Sequence, residues 1–370
     1  MSGKIRVGVL GATGMVGQRF IQLMDGHPYF EVVAVGASPR SAGKTYAEAV
    51  AGAWKMTTPI PAAVAAMIVA TCDAAHFVDC RLIFSGLDAS VAGAIETAHA
   101  AAGRYVISNS KNHRRDPLVP LVVPTVNAAH LAVVAQQQQR RATPGWIVTN
   151  ANCSTTAMVV PLKALQAAFG PLRRVMVTTL QAISGGGYPG VPSMDILGNV
   201  VPYISGEEEK IEWETGKILG GVETAAAAAG DDGDASAFVH DPVRVSATCT
   251  RVPVVDGHTC CVSVEFACDT PPSLAAVAQA FRDYRFDGQD LALPTKPQHA
   301  IVVTDDPARP QPRLDVDAGN GQSVTVGRIR ECSLFHVKFV ALCHNTILGA
   351  AGSSLLNAEI MKERGLLGRA

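Results

Sequence analysis

Short apolar runs alternate with helical patterns over the first 150 residues of the chain. Apolar runs at 5–10, 31–35, 81–85 and 105–108 predict buried strands. Apolar residues at helical spacing follow the first run, and a second helical pattern covers residues 91–102. Because strands that alternate with helices are typical of a parallel sheet with helices on its faces, we expect a mostly parallel α/β domain.

The pattern changes in the second half of the chain, where strand-like runs follow one another. Apolar or alternating runs at 175–182, 243–249, 259–267, 300–304, 323–329 and 335–343 predict a second sheet, largely antiparallel or mixed. Helical patterns precede it at 157–169 and follow it at 350–364. An alanine-rich and acidic patch at 225–234 predicts a surface insertion. The chain therefore divides into two domains, with the boundary expected near residue 150.

The glycine-rich stretch GATGMVG at residues 11–17 lies between the first predicted strand and a helix. Glycines in this position let the backbone approach a pyrophosphate at the helix N-terminus, which predicts a Rossmann-type dinucleotide site. No acid follows the second strand to bind a ribose 2′-hydroxyl. Ser38, Arg40 and Ser41 stand there instead, and these groups suit a 2′-phosphate, so we predict NADP(H). The alternative for Arg40 is a solvated surface charge.

The sequence NCSTT at residues 152–156 places a cysteine at a strand-to-helix turn. A strand-like run at 146–149 precedes it and the helical pattern follows it. A helix N-terminus favours negative charge and can lower a thiol pKa toward neutrality, and the thiolate is the reactive nucleophile. Cys153 is thus a candidate nucleophile, although a free cysteine is commonly only a small buried hydrophobe.

Other polar clusters follow predicted strands or open helices. The cluster SKNHRR at 110–115 carries guanidinium groups that can grip a phosphate or carboxylate, unless it is only a charged surface loop. A second glycine-rich turn, 181–187, offers backbone amides to a cofactor or an oxyanion. Arg251 and His258 flank a Pro/Gly turn and are predicted to face one pocket. Glu207 and Lys210 lie on one face of a predicted helix.

Composition narrows the function classes. The chain has 370 residues, 48% hydrophobic and 17% charged, which is enough for two cores of ordinary size. A net charge of −1 without a basic stripe argues against nucleic acid. Nine cysteines without a CxxC pair give no metal pattern, and their odd number fits a reducing compartment. We see no signal peptide and no apolar run near the ~20 residues of a membrane helix, and therefore expect a cytoplasmic protein without membrane partners.

Seven motifs in order resemble those of aspartate-semialdehyde dehydrogenases, most closely the archaeal and fungal branch. They are GATGMVG, SNSKNHR, NCST, QAISGGG, GEEEK, RVPVVDGH and HNTILGAAG, and they extend from Gly11 to Gly352. The resemblance implies an NADP-binding domain at 1–150, onto which a C-terminal helix in 346–370 packs back. It also implies a catalytic and dimerisation domain at 151–345, of the α+β type found in glyceraldehyde-3-phosphate dehydrogenase.

The resemblance also implies a role for each polar residue. Cys153 would be the nucleophile, His258 the general acid/base and Gln181 the residue that orients the substrate. The substrate would be bound by Arg251 at its α-carboxylate, by Glu207 near its amino group, and by Arg114 and Lys210 at its phosphate, with Asn152 placing the nucleophile. The cofactor would be lined by Gly11, Thr13, Gly14, Met15, Val16, Ser38, Arg40, Ser41, Ser85, Ser184, Gly186 and Asn345.

The implied reaction is the NADPH-dependent reduction of L-4-aspartyl phosphate to L-aspartate 4-semialdehyde by a homodimer or homotetramer. It serves biosynthesis of lysine, threonine, methionine and isoleucine. A relative that reduces a CoA thioester, such as malonyl-CoA reductase, would carry similar motifs, but Glu207 favours a substrate with an ammonium group. N-acetylglutamyl-phosphate reductase shares the fold with a different nucleophile motif. A binding protein without catalysis is disfavoured because Cys153, Gln181, Arg251 and His258 are all present.

Overall fold

The structure is a computed structural model that describes residues 3–223 and 236–368. The alanine-rich and acidic patch at 225–234, predicted above as a surface insertion, lies outside the described residues.

The first half of the chain forms a six-stranded sheet whose paired strands are all parallel. Its order is β2-β1-β3-β4-β6-β5. The strands are β1 (Ile5–Leu10), β2 (Phe30–Gly36), β3 (Leu82–Ser85), β4 (Tyr105–Ser108), β5 (Leu121–Val122) and β6 (Trp146–Asn150). The helices are α1 (Met15–Leu23), α2 (Tyr46–Ala49), α3 (Ala62–Ala65), α4 (Ala89–Ala101), α5 (Pro124–Asn127) and α6 (Val133–Arg141), with 3₁₀ turns at Ala74–Phe77 and Ala128–Ala132. The predicted parallel α/β sheet is confirmed.

The strand order changes direction beside β1. As a result, the turn after β1 lies next to the turn after β3. From β1 the chain crosses to β2 on one side, whereas β3 and β4 continue on the other. Gly11 after β1 has φ +68°, and a Cβ there would lie 2.7 Å from the carbonyl oxygen of Gly86, which follows β3. Only glycine fits this position. Open parallel sheets bind ligands at such a switch point.

The second half forms a mixed sheet in the order β10-β7-β11-β14-β13-β12. Its elements begin with α7 (Cys153–Phe169), β7 (Leu172–Gln181), α8 (Ser193–Ile196), α9 (Glu207–Leu219) and a small β8 (Gly221–Val222) and β9 (Phe238–Val239) pair. They continue with β10 (Arg244–Arg251), β11 (His258–Phe266), α10 (Leu274–Asp283), β12 (Ile301–Val303), α11 (Pro312–Asp315), β13 (Val324–Glu331) and β14 (Val337–Cys343). The predicted mixed sheet is confirmed. Strands β10 and β11 run in opposite directions but are not neighbours, because β7 lies between them and pairs with both.

The chain then returns to the first sheet. After a π-helical turn at Ile347–Ala351, α12 (Gly352–Glu363) buries Leu355, Leu356 and Ile360 in the same hydrophobic cluster as Val7 of β1. This packing supports the predicted return of residues 346–370 to the first domain. The boundaries of the two domains stay a prediction.

One face of the second sheet is covered and the other is open. The core behind the covered face includes Met158 and Leu162 of α7. Burial alternates along β7, so that Met176 and Leu180 point to the open face and are 44% and 36% exposed. Over residues 3–223 and 236–368, we find no helix with the length and apolar character needed to cross a membrane.

Candidate active site

Cys153 is the first residue of α7 and lies at a well-capped helix N-terminus. The side-chain oxygen of Asn152 accepts hydrogen bonds from the backbone N–H groups of Ser154 and Thr155, at 2.9 and 3.2 Å. Such a cap satisfies amides that a helix start otherwise leaves without partners. The sequence NCSTT therefore supplies the cap that starts the helix at the cysteine.

The Cys153 thiol contacts His258, the first residue of β11. Its Sγ lies 3.1 Å from Nε2 of the buried imidazole. The opposite ring nitrogen, Nδ1, accepts the backbone N–H of Ala182 at 3.1 Å. Because that amide can only donate, the neutral ring carries its proton on Nε2, which faces the sulfur. His258 is therefore held as a hydrogen-bond donor to Cys153.

The surroundings of Cys153 counteract the lowering of its pKa that a helix N-terminus favours. Burial raises the pKa of the Cys153 thiol to about 12, the carboxylate of Glu207 adds to the rise, and Arg251, Arg114 and Lys210 oppose it. Burial lowers the pKa of His258 to about 3, with the positive charge of Arg251 as the next cause. The pair is thus a neutral thiol beside a neutral imidazole near pH 7, because removal from water disfavours both charged forms.

Arg251 and Gln181 lie side by side at the ends of two adjacent parallel strands. Arg251 is the last residue of β10, and its Nη1 donates to the carbonyl oxygen of Ala182 at 2.8 Å. A Cβ on Gly185 would lie 2.9 Å from this Nη1 and 3.0 Å from His258 Nε2. The second glycine-rich turn therefore passes directly over the arginine and the histidine, and both face one site as predicted.

Glu207 connects the turn at Asn152 and Cys153 to Gln181. Its Oε2 accepts from Asn152 Nδ2 at 2.8 Å and from Gln181 Nε2 at 3.3 Å, and its Oε1 pairs with Lys210. Burial alone would raise the pKa of Glu207, but the charge of Lys210 and the hydrogen bonds from Lys210, Asn152 and Gln181 outweigh it and lower the pKa. Glu207 is therefore an anion at neutral pH.

Both predicted phosphate ligands already have carboxylate partners. Arg114 is 7% exposed, donates from Nη1 to Glu214 Oε1 at 2.7 Å, and donates from Nη2 to the carbonyl oxygen of Asn109 at 2.9 Å. Its Nε is buried without a partner. Lys210 pairs with Glu207. A cavity of about 330 Å³ opens beside both cations and is also lined by Lys111, Arg115 and Trp213.

A second cavity of about 530 Å³ lies at the switch point of the first sheet. Its walls include four of the predicted cofactor residues: Gly11, Thr13, Gly14 and Ser38. Met15 and Val16 open α1 at its edge. Arg40 is exposed and Ser41 half-buried, on a turn that the Ser41 N–H closes onto the Ser38 carbonyl at 2.9 Å. The open pocket and the bare Gly11 turn fit the adenosine and pyrophosphate of a dinucleotide.

Ser85 was predicted to line the cofactor site, but it does not line this cavity. Its side chain is fully buried at the end of β3, a position that is covered on both faces of a parallel sheet. Gly86 and Leu87, which follow it, form the wall instead. Thr71, Cys72 and Asp73 also contribute to the wall, and no motif pointed to them.

The remaining predicted cofactor residues lie on the second half of the chain. Asn345 follows β14, donates from Nδ2 to Ser184 Oγ at 2.8 Å and accepts the Gly257 N–H at 2.8 Å. Gly186 ends the 3₁₀ turn Ile183–Gly186 that carries Ser184. Asn345 therefore joins the second glycine-rich turn to the turn before His258. Within the described ranges, no group of three or more His, Cys, Asp or Glu side chains could hold a metal ion.

Comparison with known proteins gives the family. Residues 6–134 match the NAD binding domain of semialdehyde dehydrogenases, and residues 162–348 match their dimerisation domain. The chain is 60% identical to an aspartate-semialdehyde dehydrogenase of Cryptococcus neoformans over 370 residues, which cover 98% of each protein. The chain belongs to the aspartate-semialdehyde dehydrogenase family. The predicted family resemblance is confirmed.

Fungal and archaeal aspartate-semialdehyde dehydrogenases both resemble the chain over nearly its whole length. An Archaeoglobus fulgidus enzyme is 45% identical, with 96% of this chain and 97% of the relative covered. The crystal structure of the Candida albicans enzyme with NADP has a TM-score of 0.88 and 49% identity, and the match covers 98% of this chain and all of that one. These relatives are consistent with the predicted archaeal and fungal branch of the family.

Around the Cys153 turn, Glu214, Lys217 and Ala182 were not found from the sequence. Glu214 and Lys217 lie on α9 with Glu207 and Lys210, and the spacing of three, four and three residues puts all four on one helix face. That spacing was a usable pattern, but charged residues on a helix usually face solvent. Ala182 acts only through its backbone, so no sequence pattern could have identified it.

Proposed function

We propose that the chain catalyses the NADPH-dependent reductive dephosphorylation of L-4-aspartyl phosphate to L-aspartate 4-semialdehyde, phosphate and NADP⁺. The observation that carries the proposal is the contact of 3.1 Å between Cys153 Sγ and His258 Nε2 at the N-terminus of α7. Attack of the sulfur on the acyl carbon would break the bond between that carbon and the phosphate oxygen, and would leave a thioester on Cys153 while the thiol proton leaves with the phosphate. The N–H groups of Asn152, Ser154 and Thr155 are already bound to side chains, so the Cys153 N–H is the donor of this turn that would stabilise the oxyanion, by about 3 kcal/mol.

The charges around the thiol suit this substrate. Arg251 would bind the α-carboxylate in its fork, and Glu207 would accept from the α-ammonium group. Arg114 and Lys210 would bind the phosphate. Three cations outnumber the two carboxylates that pair with them, Glu207 and Glu214, so the site favours the net negative acyl phosphate.

NADPH, when bound, would supply the hydride that reduces the thioester. The cavity at Gly11, Thr13 and Ser38 would hold its adenosine end, and Ser184, Gly186 and Asn345 would lie toward its nicotinamide end. Gln181 would orient the substrate from the end of β7. His258 would hold the Cys153 thiolate by a hydrogen bond from Nε2–H as the aldehyde leaves. To take the Cys153 proton in the reverse direction, the ring would need the tautomer with its proton on Nδ1, which requires the contact with the Ala182 N–H to open.

The deciding experiment measures NADP⁺ reduction with L-aspartate 4-semialdehyde and varies the acceptor of the acyl group. We expect activity that depends strictly on inorganic phosphate, because Arg114 and Lys210 lie beside the site. Replacement of phosphate by CoA should give no activity. Activity with CoA and none with phosphate would contradict the proposal and favour a reductase of CoA thioesters.

Arg40 is proposed to read the 2′-phosphate of NADP(H). Removal of one charge-assisted contact by Arg40→Ala should weaken NADP(H) binding about tenfold and leave NAD(H) binding nearly unchanged. Fluorescence titration with each reduced cofactor measures both affinities. Lys44→Ala, on the same exposed loop, is the matched control. Equal losses for both cofactors in Arg40→Ala would show that Arg40 does not contact the 2′-phosphate.

We further infer that the enzyme assembles through the open face of the second sheet, where Met176 and Leu180 are exposed. The match of residues 162–348 to a dimerisation domain supports an oligomer. The choice between homodimer and homotetramer, the cytoplasmic location, the role in lysine, threonine, methionine and isoleucine biosynthesis, and the domain division at residue 150 stay predictions.

A further inference from the structure

Glu214 is a buried carboxylate that no role assigned above explains. It lies on α9, is 1% exposed, and faces the nucleophile turn rather than solvent. Burial of a carboxylate is costly unless hydrogen bonds satisfy both of its oxygens. Its two oxygens therefore show what the residue holds in place.

The two carboxylate oxygens of Glu214 bind two different parts of the site. Oε1 accepts from Arg114 Nη1 at 2.7 Å, and Oε2 accepts the backbone N–H of Asn152 at 2.7 Å. Arg114 follows the end of β4, whereas Asn152 precedes Cys153 and caps α7. One side chain thus spans from the proposed phosphate ligand to the residue beside the nucleophile.

The rest of α9 reinforces this link. The buried ammonium of Lys217 donates to the carbonyl oxygens of Arg114, Asp116 and Val119 at 2.8, 2.9 and 2.9 Å. Arg114 is therefore held by α9 at its backbone and at its guanidinium. Its Nη2 donates to the carbonyl oxygen of Asn109. Both contacts fix the direction in which the remaining N–H groups of the guanidinium point.

We propose that Glu214 is a positioning residue that fixes the phosphate-binding guanidinium of Arg114 relative to the Cys153 turn. The proposal rests on the proposed function, because it takes Arg114 as a phosphate ligand. Phosphate departs from the carbon that the sulfur attacks, so the two groups must be spaced correctly at the same time. An error of an ångström in such spacing is enough to slow a reaction strongly.

The test is Glu214→Gln, which keeps size and shape but replaces one oxygen by an NH₂ group. That group must face either Arg114 or the Asn152 N–H, and both are donors, so one contact is lost. We expect the KM for inorganic phosphate in NADP⁺ reduction to rise at least about tenfold, with the KM for NADP⁺ within about twofold of wild type. Glu212→Gln is the matched control, since Glu212 lies on the same helix and accepts the Ala247 N–H, outside the site.

A second readout needs no turnover. Phosphate should alter the rate at which iodoacetamide alkylates Cys153, and the phosphate concentration for half of that effect should rise about tenfold in Glu214→Gln. Adding the change to an Arg114→Met background should alter neither readout by more than about twofold, because the two residues act as one unit. A merely structural Glu214 would lower the melting temperature and leave both phosphate dependences unchanged.

The outcomes separate this proposal from the proposed function. A wild-type enzyme whose turnover ignores phosphate refutes the proposed function by itself. A Glu214→Gln enzyme with wild-type phosphate dependence in both readouts, or with effects that add fully to those of Arg114→Met, refutes the role of Glu214. If Glu214→Gln does not fold, Glu214→Asp must give the same pattern, because its shorter side chain cannot reach both partners.

Discussion

Replacement of Cys153 by serine is expected to abolish NADP⁺ reduction, with a loss of at least about 10³-fold in kcat. A hydroxyl is a far weaker nucleophile than a thiol, and the His258 Nε2 that faces residue 153 carries a proton and cannot accept one from it. Steady-state rates with aspartate semialdehyde and phosphate measure the effect. NADP(H) affinity should stay within about twofold of wild type, since the cofactor cavity lies on the first sheet.

Cys268→Ser is the matched control for this change. Cys268 follows β11 away from the site, and its thiol donates to the Thr270 carbonyl, which a serine hydroxyl can also do. Its activity should equal that of wild type. A Cys153→Ser enzyme with near wild-type turnover would remove the thioester from the mechanism and with it the central step of the proposed function.

His258→Gln is expected to lower kcat by about 10²–10⁴-fold, the usual contribution of a general acid–base group. A glutamine amide can still donate to the Cys153 sulfur, but it cannot take up or release a proton. The KM for NADP⁺ should change little. His299→Gln, at an exposed histidine, is the control.

The neutral state of the Cys153 and His258 pair also gives a pH dependence. Because the thiol pKa is raised to about 12, the thiolate fraction should rise about tenfold per pH unit between pH 6 and 9, and the rate of alkylation of the free enzyme should rise with it. A plateau in this range would indicate a thiolate–imidazolium pair and would contradict the neutral pair.

For the His258→Gln variant, turnover at the wild-type rate would exclude His258 as the proton carrier.

The sequence alone determined the local parts of this enzyme. Alternating apolar runs predicted both sheets, since burial on one or both faces of a strand leaves a direct periodic trace. GATGMVG predicted the glycine-rich turn after the first strand, and NCSTT placed the cysteine at a strand-to-helix turn, because turns and helix starts are decided within a few residues. The ordered motifs then gave the family.

Only the tertiary structure decided how distant groups act on one another. The thiol pKa rises because burial and the carboxylate of Glu207 outweigh the charges of Arg251, Arg114 and Lys210, and none of these causes is visible in the NCSTT stretch. Ser85 is buried because strands close on both sides of it, and Glu214 joins Arg114 to Asn152 across 100 and 62 residues of sequence. The local sequence decides which chemical groups the chain offers. The packing of α9 against the segments that follow β4 and β6 decides which partners these groups have and which charge states they adopt.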